Sequence, residues 1–313
     1  MAALIAAVMA AGTPAIAEIV EPLKYGDMEQ WITRHIPESG LIGGKTKTLY
    51  EIGPTKTVEG AVPYVPVKGN PWGTSNVLAK VVGIVKGSNA VFPDKREGGG
   101  HAAKLTTLME HCRAIGIVNI DVLVPGSIFT GYMIEPVKST KNPYSKMDMG
   151  VPFTRRPKAL QFDYKVQMPD NAKKIYAPGF GKQKLLQGTD RTEVFIILQR
   201  RWEDADGNIY AKRVATGRER YGASTKGWVN GHRINLKYGD ASDVAGTLPL
   251  IPEEKSYYAR NSKGKMVPVK EVGWDDPDAT PTHMLVMASA GGGSAYVGTP
   301  GLTMWVDNFA LVY

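Results

Sequence analysis

The stretch GLTMWVDNFALVY, residues 301–313, decides the fold. Read as extended chain, its side chains alternate: Leu302, Met304, Val306, Asn308, Ala310 and Val312 point one way, and Thr303, Trp305, Asp307, Phe309, Leu311 and Tyr313 the other. Both faces are mainly apolar, which predicts a strand covered on two sides within a layered β architecture. Asp307 interrupts the pattern. A buried carboxylate is costly unless it is paired, hydrogen-bonded or bound to a metal.

Working outward, ALQFDYKVQM (159–168) sets Leu160, Phe162, Tyr164, Val166 and Met168 against Gln161, Asp163, Lys165 and Gln167. GIVNIDVLV (116–124) alternates in the same way, while EVFIILQRRW (193–202) and HMLVMASA (283–290) are apolar on both faces, as central strands are. Asp206-Gly207 inside RWEDADGNIYAKRVATG predicts a hairpin. With 35 Gly and 21 Pro punctuating short strands, the chain is all-β, a sandwich or barrel. DMEQWITRHI (27–36) and AAKLTTLMEHC (102–112) fit helical and strand periods equally well.

The 313 residues suffice for one large domain or two ordinary ones, and neither the 43% hydrophobic nor the 22% charged content suggests disorder. Residues 1–17, apolar and ending Ala15-Ile16-Ala17, have the pattern of a signal peptide with the mature chain starting near Glu18, so export is expected. No later stretch reaches the ~18 apolar residues of a membrane span. Cys112 is the only cysteine, which excludes an intramolecular disulfide and a cysteine-based zinc site. The net charge of +8 favours an acidic partner, but its Lys and Arg are interleaved with acids and glycines, unlike a nucleic-acid-binding run.

Catalytic motifs fail one after another. GGKT (43–46) lacks the earlier glycine of a phosphate loop, since position 39 is serine, and DADGN (204–208) lacks the spacing of a calcium loop. His101 and His111 are not a zinc-protease pair, and no Gly-x-Ser-x-Gly elbow occurs. Glu253, Glu254, Asp275 and Asp276 are candidate glycosidase carboxylates in loops. The aromatic residues are more suggestive. Trp72, Trp228, Trp274, Tyr257 and Tyr258 fall in Gly-, Pro- or Asn-bearing stretches, where a ring can stack on a sugar; Arg218 and Arg220 are candidate anion partners.

PWGTSN (71–76), GGGHAAKLTT (98–107), PGSIFTG (125–131), MGVPFTRRPKALQFDYKV (149–166) and HMLVMASAGGGSAYVGTPGLTMWVDNFALVY (283–313) occur in this order. Together they resemble the putative carbohydrate metabolism domain (PCMD) family of Bacteroidetes, over residues 60–313, with 18–59 as an N-terminal lead-in. The resemblance implies a jelly-roll, a two-sheet antiparallel β-sandwich like that of carbohydrate-binding modules, exported and linked to glycan use. It makes AAKLTT a strand. It also implies a structural calcium on Asp307 with Glu29 or Asp27, against the alternative that Asp307 accepts backbone N–H bonds at a bulge. The expected function is non-catalytic binding of a polysaccharide or oligosaccharide, the charge favouring an acidic one. The alternatives are a surface component that binds protein and a glycoside hydrolase or polysaccharide lyase using loop carboxylates.

Overall fold

The strands expected to be apolar on both faces lie side by side in the largest sheet of the computed structural model, which describes residues 18–114 and 116–313. The expected signal peptide lies outside the described residues. Along Thr192–Glu203, Val194, Ile196 and Leu198 enter one core, and Phe195 and Ile197 enter another. From His283–Ser289 the sheet runs through Thr192–Glu203, Ile209–Tyr221, Met266–Trp274, Tyr258–Arg260 and Met147–Met149 to Ser127–Met133. Ser127–Met133 then pairs back on His283–Ser289, with Ser127 opposite Ser289 and Phe129 opposite Met287. The result is a closed seven-strand barrel, filled by Phe129, Met149, Phe195, Ile197 and Leu285.

A second sheet lies against the outside of this barrel. Its order is Val229–Asn235, Ala159–Gln167, Thr303–Val312, His101–Thr106 and Val91–Lys95, with Val20–Pro22 also pairing on the terminal strand. Leu160, Phe162, Met304, Val306 and Phe309 pack with Val194, Ile196 and Val286 into one core. The all-β expectation holds, with three short 3-10 turns as the only helix among the described residues. The expected pair of jelly-roll sheets takes a different form: the second layer is the wall of a barrel. A sheet apolar on both faces needs two cores, and closing on itself supplies one while removing free edges.

The terminal strand keeps its expected alternation only as far as Asp307. Asp163 pairs with Asp307, but Gln161 already pairs with Ala310, so one extra residue is accommodated in between. Asn308 takes it up with a left-handed φ of 52°. Met304 and Val306 face the core before the bulge, Phe309 and Leu311 after it, which corrects the uniform alternation read from the sequence.

The ambiguous segments are strands. Trp31–Pro37 pairs with Thr46–Ile52 and Lys56–Glu59 in a small N-terminal sheet, and His101–Thr106 is followed by Leu108–Ala114. Residues 204–208 are the expected hairpin turn, where the Asp204 carboxylate accepts the N–H groups of Asp206 and Asn208. Among the described residues no helix is long and apolar enough to cross a membrane.

Candidate functional site

Two hairpins rise over one mouth of the barrel. One is Val77–Val81 with Ile84–Ser88, the other Leu108–Ala114 with Val118–Val124, and Ile84, Cys112, Ala114, Val118 and Ile120 pack them together. Between the hairpins and the mouth lies a cavity of about 310 Å³. Its walls are largely aliphatic: Val77, Ala79 and Val81 from one hairpin, Ile120, Val122 and Val124 from the other. The alternation of a strand places each trio on a single face. Met133, Met147 and Met287 close it from the barrel side, and Tyr144 and Tyr296 stand in the loops around it.

The polar groups of the cavity come from the barrel strands and from both hairpins, Lys86 and Ser88 from the first and Glu110 from the second. Glu193 is the first inward-facing residue of its strand; Arg218 Nε donates to its Oε2 at 2.8 Å and Arg220 Nε lies at 3.2 Å. Burial pushes the Glu193 carboxyl above its ordinary range, against the pull of the two guanidinium groups. Glu110 meets Lys86 Nζ at 3.4 Å. Ser127 and Ser289 are bonded to each other at 2.7 Å. The Tyr257 hydroxyl has a single weak partner, the thioether of Met287 at 3.9 Å, and its ring meets that of Tyr144 edge-on at 6.1 Å. Tyr296 donates to the Thr140 carbonyl at 2.6 Å, which fixes its ring.

The expected site residues are dispersed. Tyr257 lines the cavity, and Arg218 and Arg220 stand behind it, engaged by Glu193 rather than free for an external anion. Tyr258 is beside the cavity, its hydroxyl accepting from Asn142 at 3.0 Å. Trp72 has no free face: it is 1% exposed, its indole N–H donates to the Lys24 carbonyl, and its ring packs on Phe309 at 5.1 Å. Trp228 is half-buried under the Arg96 guanidinium at 4.3 Å, on the outer face of the second sheet. Trp274 sits over Arg213 at the opposite end of the barrel, because Arg213 pairs with Gln199, six residues along the strand from Glu193, and a strand rises about 3.3 Å per residue.

The loop carboxylates are also committed elsewhere. Asp275 is held by Arg200 at 2.6 and 2.9 Å, which draws its carboxyl below the ordinary range, and Glu253 pairs with Lys270 at 2.9 Å. Asp307 is met by Arg96, whose guanidinium also reaches Asp163 at 2.8 Å. Its other oxygen accepts the Asn308 N–H at 2.8 Å, the bonding expected at a bulge. Of the acids expected beside Asp307 at a calcium, Glu29 accepts the His101 N–H at 2.8 Å and Asp27 is exposed. Among the described residues no three His, Cys, Asp or Glu side chains are placed to hold a metal ion.

Sequence reasoning overlooked Glu193, Tyr144 and Tyr296. Glu193 had a usable signal: it is an acid opening a strand apolar on both faces, the anomaly that singled out Asp307. Tyr296 lies in the loop GGGSAYVG and Tyr144 in NPYSK, where nothing but the fold brings them together. An exposed Trp202, stacked on the half-buried Tyr210 at 5.9 Å, also went unnoticed at the barrel end away from the cavity.

One family model, described as "Putative carbohydrate metabolism domain", matches residues 54–257. No curated protein matches the chain. Two crystal structures described as putative glycoside hydrolases are similar to it. The one from Bacteroides thetaiotaomicron has 16% identity and a TM-score of 0.43, over 72% of this chain and 57% of that one. The chain therefore spans a little over half that protein's length. The one from Bacteroides vulgatus has 12% identity and a TM-score of 0.49, over 94% of each chain.

Proposed function

The chain belongs to the putative carbohydrate metabolism domain family, and from that premise we propose that it is an exported protein that binds a carbohydrate at the barrel mouth without transforming it. The observation that carries this reading is the cavity itself, where Tyr144, Tyr257 and Tyr296 surround a space of about 310 Å³, of the size that takes a small ligand. Tyrosine rings offer a face to the C–H side of a sugar and a hydroxyl to its oxygens. Export is supported by the Ala15-Ile16-Ala17 pattern. The test is retention on a panel of immobilised polysaccharides and oligosaccharides. Tyr144→Ala and Tyr296→Ala are each expected to weaken retention at least tenfold. A panel with no retention, or variants that bind as well as the parent, would sink the reading.

A second reading, hydrolysis, is favoured by one observation: Glu110 and Glu193 line the same cavity, and a glycosidase needs two carboxyl groups. Against it, Glu193 is bonded by Arg218 and Arg220 and Glu110 lies against Lys86, so each carboxylate is engaged within the protein rather than turned to a glycosidic oxygen. Release of reducing ends from the retained glycan, abolished in Glu193→Gln, would replace binding by catalysis.

A further inference from the structure

We infer that the group held inside the cavity is apolar, so that the ligand is a sugar carrying an acyl or aryl substituent rather than a bare glycan; this rests on the carbohydrate reading above. The walls decide it. Val77, Ala79 and Val81 with Ile120, Val122 and Val124 supply walls that can neither donate nor accept a hydrogen bond, and of the polar side chains beside them on the same hairpin faces Lys86 and Glu110 are engaged with each other, leaving Ser88. Their backbone offers little, because alternate N–H and C=O groups bond across each hairpin and outward-pointing ones are taken by neighbours: Leu78 and Lys80 by Glu135 and Val137, Val85 and Gly87 by Ser39 and Glu38, and Leu123 by Ala177.

A bare sugar ring carries several hydroxyls. Each one buried against such walls without a partner weakens binding by roughly tenfold. An acyl chain or aromatic ring has no such groups, and it would cover wall side chains that the fold leaves half-buried, Val77, Ala79, Val81, Val122 and Val124. Met133, Met147 and Met287 add flexible, polarizable contacts that adapt to an irregular apolar group.

The polar groups fit the same occupant. The Tyr257 hydroxyl, partnered only by a thioether, is a donor in want of an acceptor such as an ester carbonyl or an ether oxygen. Glu193 is balanced by Arg218 and Arg220, so the cavity floor does not demand a cationic ligand. The sugar itself then lies at the rim, against Tyr144 and Tyr296.

The experiment compares 4-nitrophenyl glycosides with the corresponding methyl glycosides by calorimetry, alongside the neutral fluorescent probe N-phenyl-1-naphthylamine. The nitrophenyl glycosides are expected to bind at least tenfold more tightly than the methyl ones and to displace the naphthylamine from a single site. Val81→Asp, which puts a charge on the wall, and Ala79→Phe, which fills the space, are each expected to erase that advantage, with thermal melts checking that both variants remain folded. Equal affinity for methyl and nitrophenyl glycosides, or naphthylamine binding unchanged in both folded variants, overturns the inference while leaving sugar binding intact. Tight naphthylamine binding without any contribution from a sugar overturns the carbohydrate reading instead, and leaves the apolar site standing.

Discussion

Asp307 shows how one buried side chain admits two readings from the sequence. Its burial demands compensation, and the sequence cannot say whether a metal or another side chain supplies it. Arg96 supplies it, from a turn 211 residues earlier in the chain, and serves Asp163 as well. Burial raises the Asp307 carboxyl to about 6, against the pull of Arg96 and the Asn308 N–H. Because the folded value lies above the unfolded one of 3.8, the native state holds its proton longer; the resulting stability is complete below the unfolded value and is lost as pH rises through about 6. Arg96→Ala leaves two buried carboxylates without a counter-charge and is expected to cost about 3 kcal/mol at pH 7.5. The loss should shrink towards pH 5, as Asp307 takes up a proton. Urea titrations at the two values check the sign, and an equal loss at both would assign the effect to packing alone. With Arg96 in place, a chelator is expected to leave the melting temperature unchanged; a fall would put a cation beside Asp307.

At the scale of the element, the terminal strand was legible in kind and illegible in phase. Its apolar composition gave away a strand covered on two sides, but Asn308 at a φ of 52° adds a residue, and every side chain after it changes face. Phe309 thereby joins Phe162, with which it stacks at 5.4 Å, and Trp72. Phe309→Ala is expected to cost about 3–5 kcal/mol as a large-to-small change in a closed core. Asn308→Val is expected to cost about 1–2 kcal/mol, because a β-branched residue resists the left-handed region, and Asn308→Gly less than that. Equilibrium unfolding of the three variants checks the order; a harmless valine would mean that the bulge is not where the register shift places it. The first hairpin over the cavity, Val77–Val81 with Ile84–Ser88, was harder to read than the Asp206-Gly207 turn for a related reason. Its turn is Val82-Gly83, with φ of 49° and 79°, and a valine in that position hides the usual turn signal.

Across the whole molecule, barrel closure lay beyond sequence reasoning because it depends on parallel joints between distant segments, such as Ile209–Tyr221 with Met266–Trp274. A buried network shows what ties the remaining parts together. Arg34 of the N-terminal sheet bonds Glu51 at 2.9 Å and Glu135 at 2.5 Å, while Glu135 also accepts the N–H groups of Tyr64 and Leu78. One guanidinium thus faces two carboxylates. Burial raises the Glu51 carboxyl to about 8, with Arg34 and the Thr74 hydroxyl opposing the rise and Glu135 adding to it. The folded value is above the unfolded 4.5, so the proton on Glu51 stabilises the native state fully below that value, and this contribution is lost as pH climbs towards about 8. Glu51→Gln keeps an acceptor for Arg34, presents an amide N–H that the Thr74 hydroxyl can accept, and removes the titration. The variant is expected to melt with the parent near pH 5 and above it near pH 8.5, flattening the slope between. A variant that melts below the parent at pH 8.5 would mean that Glu51 is ionised in the folded protein and that its pairing with Arg34 outweighs its burial, so that the N-terminal sheet is held to the rest by charge rather than by a shared proton.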